Sequence, residues 1–223
     1  FFEYTTAVAF LWFAEKKVDL AIVEVGMGGR LDATNVIPSP LVTIMTRIGL
    51  DHTAYLGDTL EQIAAEKAGI IKAGTVLVVG PNPPEALSVF VKAAQAKCVP
   101  MHLAADEISI SRSKGSSFVA QKLTVESQTC SYGTIKLKLP AAYQLENLSI
   151  VISALEALQD QLNVELPLDV LKAGLEKAEW RGRFCMLTDD ILVDGAHNPD
   201  GADALVASLQ SVAGNKARFV FVA

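Results

Sequence analysis

The 223-residue sequence predicts an α/β fold: a mostly parallel sheet flanked by helices, a small antiparallel β insert, and then the opening of a second α/β unit. Three observations lead there. Short continuous apolar runs such as "DLAIVEV", "LVTIMTRI" and "TVLVVG" read as strands covered on both faces. They alternate with segments of helical periodicity, the pattern of strands joined by crossover helices. From about 106 to 139 the texture changes to Ser, Thr, Lys and Val, with alternation such as "TIKLKL", which reads as antiparallel hairpins.

The elements follow in order. Tyr4, Ala7, Val8, Leu11 and Trp12 recur at helical spacing and predict a helix over 3–16. Residues 19–25 are the first expected buried strand and 41–48 the second. In "GDTLEQIAAEKAGI", Asp58 and Glu61 stand in the relation of a capping box, and Gly69 offers a left-handed stop. A helix is expected there over about 59–68. "TVLVVG" is a third strand, and Pro83-Pro84 opens a helix that runs to about Lys97. After the insert come two helices, about 143–161 and 168–178. Two short strands then lead to "DGAHNP", where Asn198 and Pro199 signal a helix start. "RFVFVA" reads as a further strand. The expected boundary divides 1–179 from 180–223. No repeat or low-complexity tract is visible.

Composition narrows the function classes. The chain is 51% apolar and 20% charged, a folded composition, with a net charge of −6 that argues against a basic nucleic-acid surface. Its three cysteines, Cys98, Cys130 and Cys185, form no CxxC and are odd in number, which argues against a disulfide framework or a structural zinc site. Cysteines so used make a reducing cytoplasm the natural expectation, and the strand-sized apolar runs exclude a membrane span, so no membrane partner is expected. Both ends fall inside patterned segments, so the sequence reads as an interior piece of something longer.

Several residues could carry chemistry. In open parallel sheets ligands bind beyond the carboxyl ends of the strands. Glu24 ends the first expected strand, and Asp51-His52 follows the second. A carboxylate and an imidazole at one edge suggest a divalent cation. Magnesium prefers oxygen ligands, so the imidazole leaves the metal's identity open. Alternatively, Glu24 caps a helix and His52 is an ordinary loop histidine. "GMGGRLD" is not a dinucleotide loop: Gly26 and Gly28 fit G-x-G-x-x-G, but position 31 is Leu, and the preceding acid would repel a pyrophosphate. Lys67, read blind, is a surface lysine at a helix C-terminus. Asp194 follows a strand, as acids that bind a ribose hydroxyl do, and His197 precedes a helix N-terminus that could face an anion. Arg181 and Arg183 suit phosphate or an interdomain ion pair. Asn147 could equally be a plain helix-face amide.

Six stretches, "EVGMGGRLDATN", "GLDHTAYLG", "IAAEKAGIIK", "QLEN", "WRGRF" and "LVDGAHNP", occur in the order found in one family across nearly the whole chain. Together they resemble the folate-adding branch of the Mur ligase superfamily, dihydrofolate synthase and folylpolyglutamate synthase. The resemblance implies a central ATP-binding domain over 1–179 and the start of a Rossmann-like C-terminal domain over 180–223. It implies an ATP-dependent amide ligase with small-molecule substrates: ATP, L-glutamate, and dihydropteroate or a folate. A monomer is expected. Carried over, Glu24 matches the family's magnesium carboxylate, His52 its metal-site histidine and Lys67 a lysine that the family carbamylates. Lys67 and His52 thereby become catalytic candidates. Asn147 matches an adenine-side asparagine, Arg183 an arginine on the phosphates and Asp194 an acid near the ribose. His197 lies in the same nucleotide-facing motif. Leu31, Asp32 and Ala33 match a segment that lines the pterin pocket. Two positions depart from the pattern: Arg181 stands where the family usually has Pro, and Tyr143 where it often has His. No G-x-x-x-x-G-K-[ST] occurs in the 223 residues; the family's phosphate loop is expected upstream of Phe1. A truncated, non-catalytic relative and a cell-wall Mur ligase remain as alternatives.

Overall fold

A computed structural model describes residues 1–113, 116–214 and 218–221. The chain forms two compact units, Phe1–His102 and Leu103–Ala223. The first opens with α1 (Phe2–Lys16), which closes on Lys17 in a left-handed turn. Strands β1 (Val42–Met45) and β2 (Val76–Val79) pair in parallel, and β3 (Met101–Leu103) lies on the other edge of β2. Between β1 and β2 come α2 (Thr53–Leu56) and α3 (Leu60–Ala68); α4 (Pro84–Ala96) links β2 to β3. All four residues of β2 are buried, as a central strand under helices requires.

The run at 19–25 departs from expectation. It is not a strand, and Ile22 is 91% exposed. Strand geometry is fixed by a ladder, and no described strand pairs with this run; among the described residues β1 is an edge strand paired with β2 alone. Apolar composition alone does not hold an extended segment in a sheet. Glu24 therefore does not stand at a strand end.

Helix α3 forms where the sequence predicts it, but its cap lies one residue later than expected. Thr59 is the N-cap and accepts from the Gln62 N–H, while the Gln62 side chain accepts from the N–H groups of Asp58 and Thr59. Asp58 and Glu61 do not form that box. Gly69 is not left-handed either, with φ −60°. Its missing Cβ serves packing instead: a methyl group there would stand 2.5 Å from the Arg30 Cα.

The second unit contains the antiparallel sheet of β4 (Ile108–Arg112), β5 (Gln121–Ser127) and β6 (Ser131–Leu137). Strand β5 runs directly on both neighbours, with a register shift at Val125/Glu126. Helices α6 (Gln144–Leu162) and α7 (Leu168–Lys177) cover its apolar face. Ile108, Leu123, Val125, Ile135 and Leu137 pack with Leu148, Ile152 and Leu171, so the alternating insert is the core of this unit. Glu156 of α6 accepts from the hydroxyls of Ser127, Thr129 and Tyr132, tying the β5–β6 turn to the helix. Burial, and then the Glu156 carboxylate, raise the Tyr132 pKa. A short helix α5 (Ala104–Glu107) precedes β4.

The strand pair β7 (Cys185–Met186) and β8 (Leu192–Val193) is antiparallel and leads into α8 (Pro199–Ala213), capped by Asn198 as predicted. Phe184 and Leu209 pack on Ala141 in a second small core. The expected strand at 218–223 is not formed over 218–221, where Val220 is 93% exposed and no described strand pairs with it; 222–223 lie outside the described residues. All three cysteines are free, and no described helix is long and apolar enough to cross a membrane.

Two glycine substitutions separate packing from propensity. Gly69→Ala should destabilise the protein by about 1–3 kcal/mol, because its Cβ meets backbone that cannot move aside cheaply. Gly174→Ala, inside α7 with open space around it, should stabilise by about 0.5–1 kcal/mol. Urea unfolding of both variants checks the opposite signs.

Candidate active site

In the first unit the site is built around the loop 26–32. Its backbone lies on the last turn of α3: Arg30 N–H donates to the Glu66 carbonyl at 2.8 Å. The Arg30 guanidinium also donates to Glu66 Oε1 through Nε and Nη2, at 3.2 and 3.0 Å. Asn35 donates to the carbonyls of both Arg30 and Gly69. Gly29, at φ +158°, passes so near that a Cβ would be 3.1 Å from the Lys67 Cα. Gly28, at φ +68°, lies against Leu56. The loop thus contacts both α3, which carries Lys67, and α2, which His52 begins.

Asp32 closes this loop. Its Oδ2 accepts from Met27 N–H at 2.9 Å; its Oδ1 accepts from Thr34 N–H at 2.9 Å and from the Thr34 hydroxyl at 2.6 Å. It is the N-cap of a 3-10 turn over Ala33–Val36. Burial alone would raise its pKa; the Thr34 hydroxyl and the N–H groups of Met27, Thr34 and Gly26 outweigh that and hold it below the usual value. Leu31 is exposed beside it, and Ala33 is half-buried.

His52 is in the left-handed region, φ 51°, which histidine tolerates better than most residues. Its N–H donates to Asp51 Oδ1 at 2.8 Å, and its Nε2 is 4.0 Å from Asp51 Oδ2. The chain reaches it from β1 through a segment that sequence reasoning did not single out. Asn82, just past β2, accepts from Ile48 N–H and donates to the carbonyls of Thr46 and Gly80. It pins the two strand ends to each other. In the sequence, Pro83-Pro84 marks this stretch as a helix start and gives Asn82 no role.

Glu24 is exposed two residues before Gly26, and its carboxylate bonds no described residue. Among the described residues no group of three or more His, Cys, Asp or Glu side chains is placed to hold a metal. Glu24 and His52 offer two such donors; Lys67, half-buried in the last turn of α3, is a group of another kind.

The second unit holds the remaining candidates. Asp194 follows β8 directly, as expected. Its Oδ2 accepts from Phe184 N–H at 2.8 Å and from the Tyr143 hydroxyl at 3.0 Å; its Oδ1 accepts from Ala196 N–H at 2.8 Å. The exposed Arg183 guanidinium lies over Gly195, where a Cβ would be 2.7 Å from its Nη1, and it forms no ion pair with the described residues. His197 Nδ1 is 2.9 Å from the Gly195 carbonyl oxygen. Asn147 is exposed in the first turn of α6 and donates to Gln144 Oε1 at 3.0 Å. Asp194 and His197 thus share the short loop after β8; Arg183, from the segment before β7, lies against it, and Tyr143 ties it to the start of α6. Tyr143 was noted in the sequence only as a departure from pattern; its bond to a residue 51 positions away leaves no local signal.

Asp32→Ala should destabilise the protein by about 1 kcal/mol at neutral pH. Because the folded-state pKa is lowered, the Asp32 contribution is present above the ordinary carboxylate pKa and is lost as pH falls through the folded value. The gap between wild type and variant should therefore close in acid, as thermal melts across pH 2–7 would show.

Comparison with known proteins now bears on these features. Residues 3–155 match the Mur ligase middle domain. The dihydrofolate synthase/folylpolyglutamate synthase of Bacillus subtilis (strain 168) is 37% identical over 226 residues, covering 100% of this chain and 52% of that protein. The structure of the apo form of L. casei FPGS superposes with a TM-score of 0.87 at 33% identity, over 94% of this chain and 51% of the other. An FPGS-AMPPCP-folate complex superposes with a TM-score of 0.89 at 33% identity, over the same shares. The chain spans about half the length of the curated relatives it matches. It belongs to the Mur ligase family, in the branch of the dihydrofolate and folylpolyglutamate synthases.

Proposed function

We propose that the full-length protein is an ATP-dependent ligase that joins L-glutamate to dihydropteroate, to folates, or to both. The alignment of the entire chain with a dihydrofolate synthase/folylpolyglutamate synthase carries this reading. The structure of a relative with AMPPCP and folate bound supports the same substrate classes. A substrate carboxylate attacks the γ-phosphorus of ATP and ADP leaves. The glutamate amine then attacks the acyl carbon, releases phosphate and loses a proton. A carboxylate is a poor electrophile, and phosphorylation supplies the leaving group that it lacks.

In this reading Glu24, His52 and Lys67 hold magnesium. The donor chemistry fits on one condition. Glu24 is an exposed carboxylate with no competing partner among the described residues, and His52 adds a nitrogen. An ammonium on Lys67 would repel the ion, whereas a carbamate would give it a second oxygen donor. A carbamate forms from the neutral amine, so Lys67 must lose its proton first. The last turn of α3 disfavours an anion by about 0.3–1 kcal/mol, so the carbamate needs a cation beside it. When bound, magnesium offsets charge on the transferring phosphoryl oxygens.

Asp32 serves the pterin side by fixing the loop, with Leu31 and Ala33 flanking it. Asn147 faces adenine, Asp194 the ribose and Arg183 the phosphates, with His197 in the same nucleotide-facing motif. Residues 180–223 open the C-terminal glutamate-ligase domain. The protein is cytoplasmic and monomeric, with no nucleic-acid or membrane partner.

Full-length protein should incorporate labelled glutamate into dihydropteroate or a folate only when ATP is present. Addition of an amino acid to a nucleotide-linked peptide instead would favour a cell-wall ligase. Glu24→Gln keeps the size of an exposed side chain, so stability should change by less than about 0.5 kcal/mol. Its kcat should fall at least about 100-fold, the loss of a few kcal/mol of charge stabilisation. Near-normal ligation by that variant would remove Glu24 from the machinery.

A further inference from the structure

We propose that Tyr143 is a positioning residue for the nucleotide ribose: it occupies one oxygen of Asp194 so that the other is left to accept a ribose hydroxyl. The proposal rests on the reading of Asp194 as the ribose acid.

A carboxylate offers about four acceptor positions, two on each oxygen. On Asp194, Oδ2 is filled by two donors, the Phe184 N–H and the Tyr143 hydroxyl. Oδ1 takes one among the described residues, the Ala196 N–H, and keeps one position that no described residue fills. The two oxygens are thus unequal, and Tyr143 is half of what makes them so.

Tyr143 is itself well anchored. It is half-buried and packs against the small core of Ala141, Phe184 and Leu209. Burial first, and then the charge and hydrogen bond of Asp194, raise its pKa against a smaller opposing effect of Arg183. The phenol therefore stays protonated and donates throughout the working pH range. Tyr143 also caps α6, and its carbonyl accepts the Asn147 N–H at 3.3 Å. One residue therefore links the turn that carries Asn147 to the loop that carries Asp194. The terminal torsion of an aspartate is broad. Without the hydroxyl, the carboxylate turns more freely, and its open acceptor position is no longer fixed.

The test uses isothermal titration of full-length protein with ATP and with 2′,3′-dideoxy-ATP. Wild type should prefer ATP by about three- to tenfold, the worth of one or two hydrogen bonds. Tyr143→Phe should compress that ratio toward one while leaving the dideoxy affinity unchanged. A merely structural loss would weaken both nucleotides alike and preserve the ratio. Asp194→Asn supplies the reference. If Asp194→Asn loses the discrimination and Tyr143→Phe keeps it, the role of Tyr143 is overturned and the ribose reading stands. If Asp194→Asn also keeps it, the ribose reading fails, and the role of Tyr143 fails with it.

Discussion

The first unit depends on a close approach of two backbones. Loop 26–32 lies on the end of α3 because Gly29 and Gly69 carry no side chain at the contact; at each, a Cβ would stand about 3 Å or less from opposing backbone. That contact lets Arg30 N–H reach the Glu66 carbonyl and brings the Arg30 guanidinium to the Glu66 carboxylate. The exposed ion pair is worth little by itself. The backbone hydrogen bond and the paired carbonyl contacts of Asn35 give it register. A loop fixed in this way lies against Lys67, the residue whose chemical form decides the magnesium site in the proposed function.

Much of the fold was legible in the sequence where local rules decide the outcome. Pro83-Pro84, Asn198-Pro199 and the alternation from 106 to 139 each act within a few residues, and the elements they predict are present. The misses share a cause. Residues 19–25 have strand composition, but a strand also needs a partner, and pairing is a property of distant segments. The cap of α3 moved from Asp58 to Thr59 because Gln62 reaches two N–H groups at once, a choice among neighbours that a motif does not rank. Gly69 was read as a conformational stop; it is a packing glycine, whose reason is Arg30, 39 positions earlier in the chain.

The site divides in the same way. The positions of Asp194 after a strand and of Asn198 at a helix start were legible because a short motif marks both. Asn82 and Tyr143 were not, because their work is done through long-range hydrogen bonds that turn composition does not reveal. Lys67 is a different case: physics applied to the sequence gives a surface lysine, and only resemblance to a family gives it another role. The structure leaves it half-buried against the loop, a place compatible with either chemical form.

Two groups of residues therefore answer to different tests. The Asp194 loop is organised by its own hydrogen bonds. In the proposed function the acyl-side residues depend on a cation that would offset the charge of Glu24 and of a carbamylated Lys67. A crystal structure of the full-length protein with magnesium and a non-hydrolysable ATP analogue, grown at neutral pH in bicarbonate, would settle that dependence. It should show a carbamate on Lys67, with magnesium about 2.0–2.1 Å from one of its oxygens or from an oxygen of Glu24. A bare Lys67 ammonium, with magnesium bound away from both residues, would contradict the assignment.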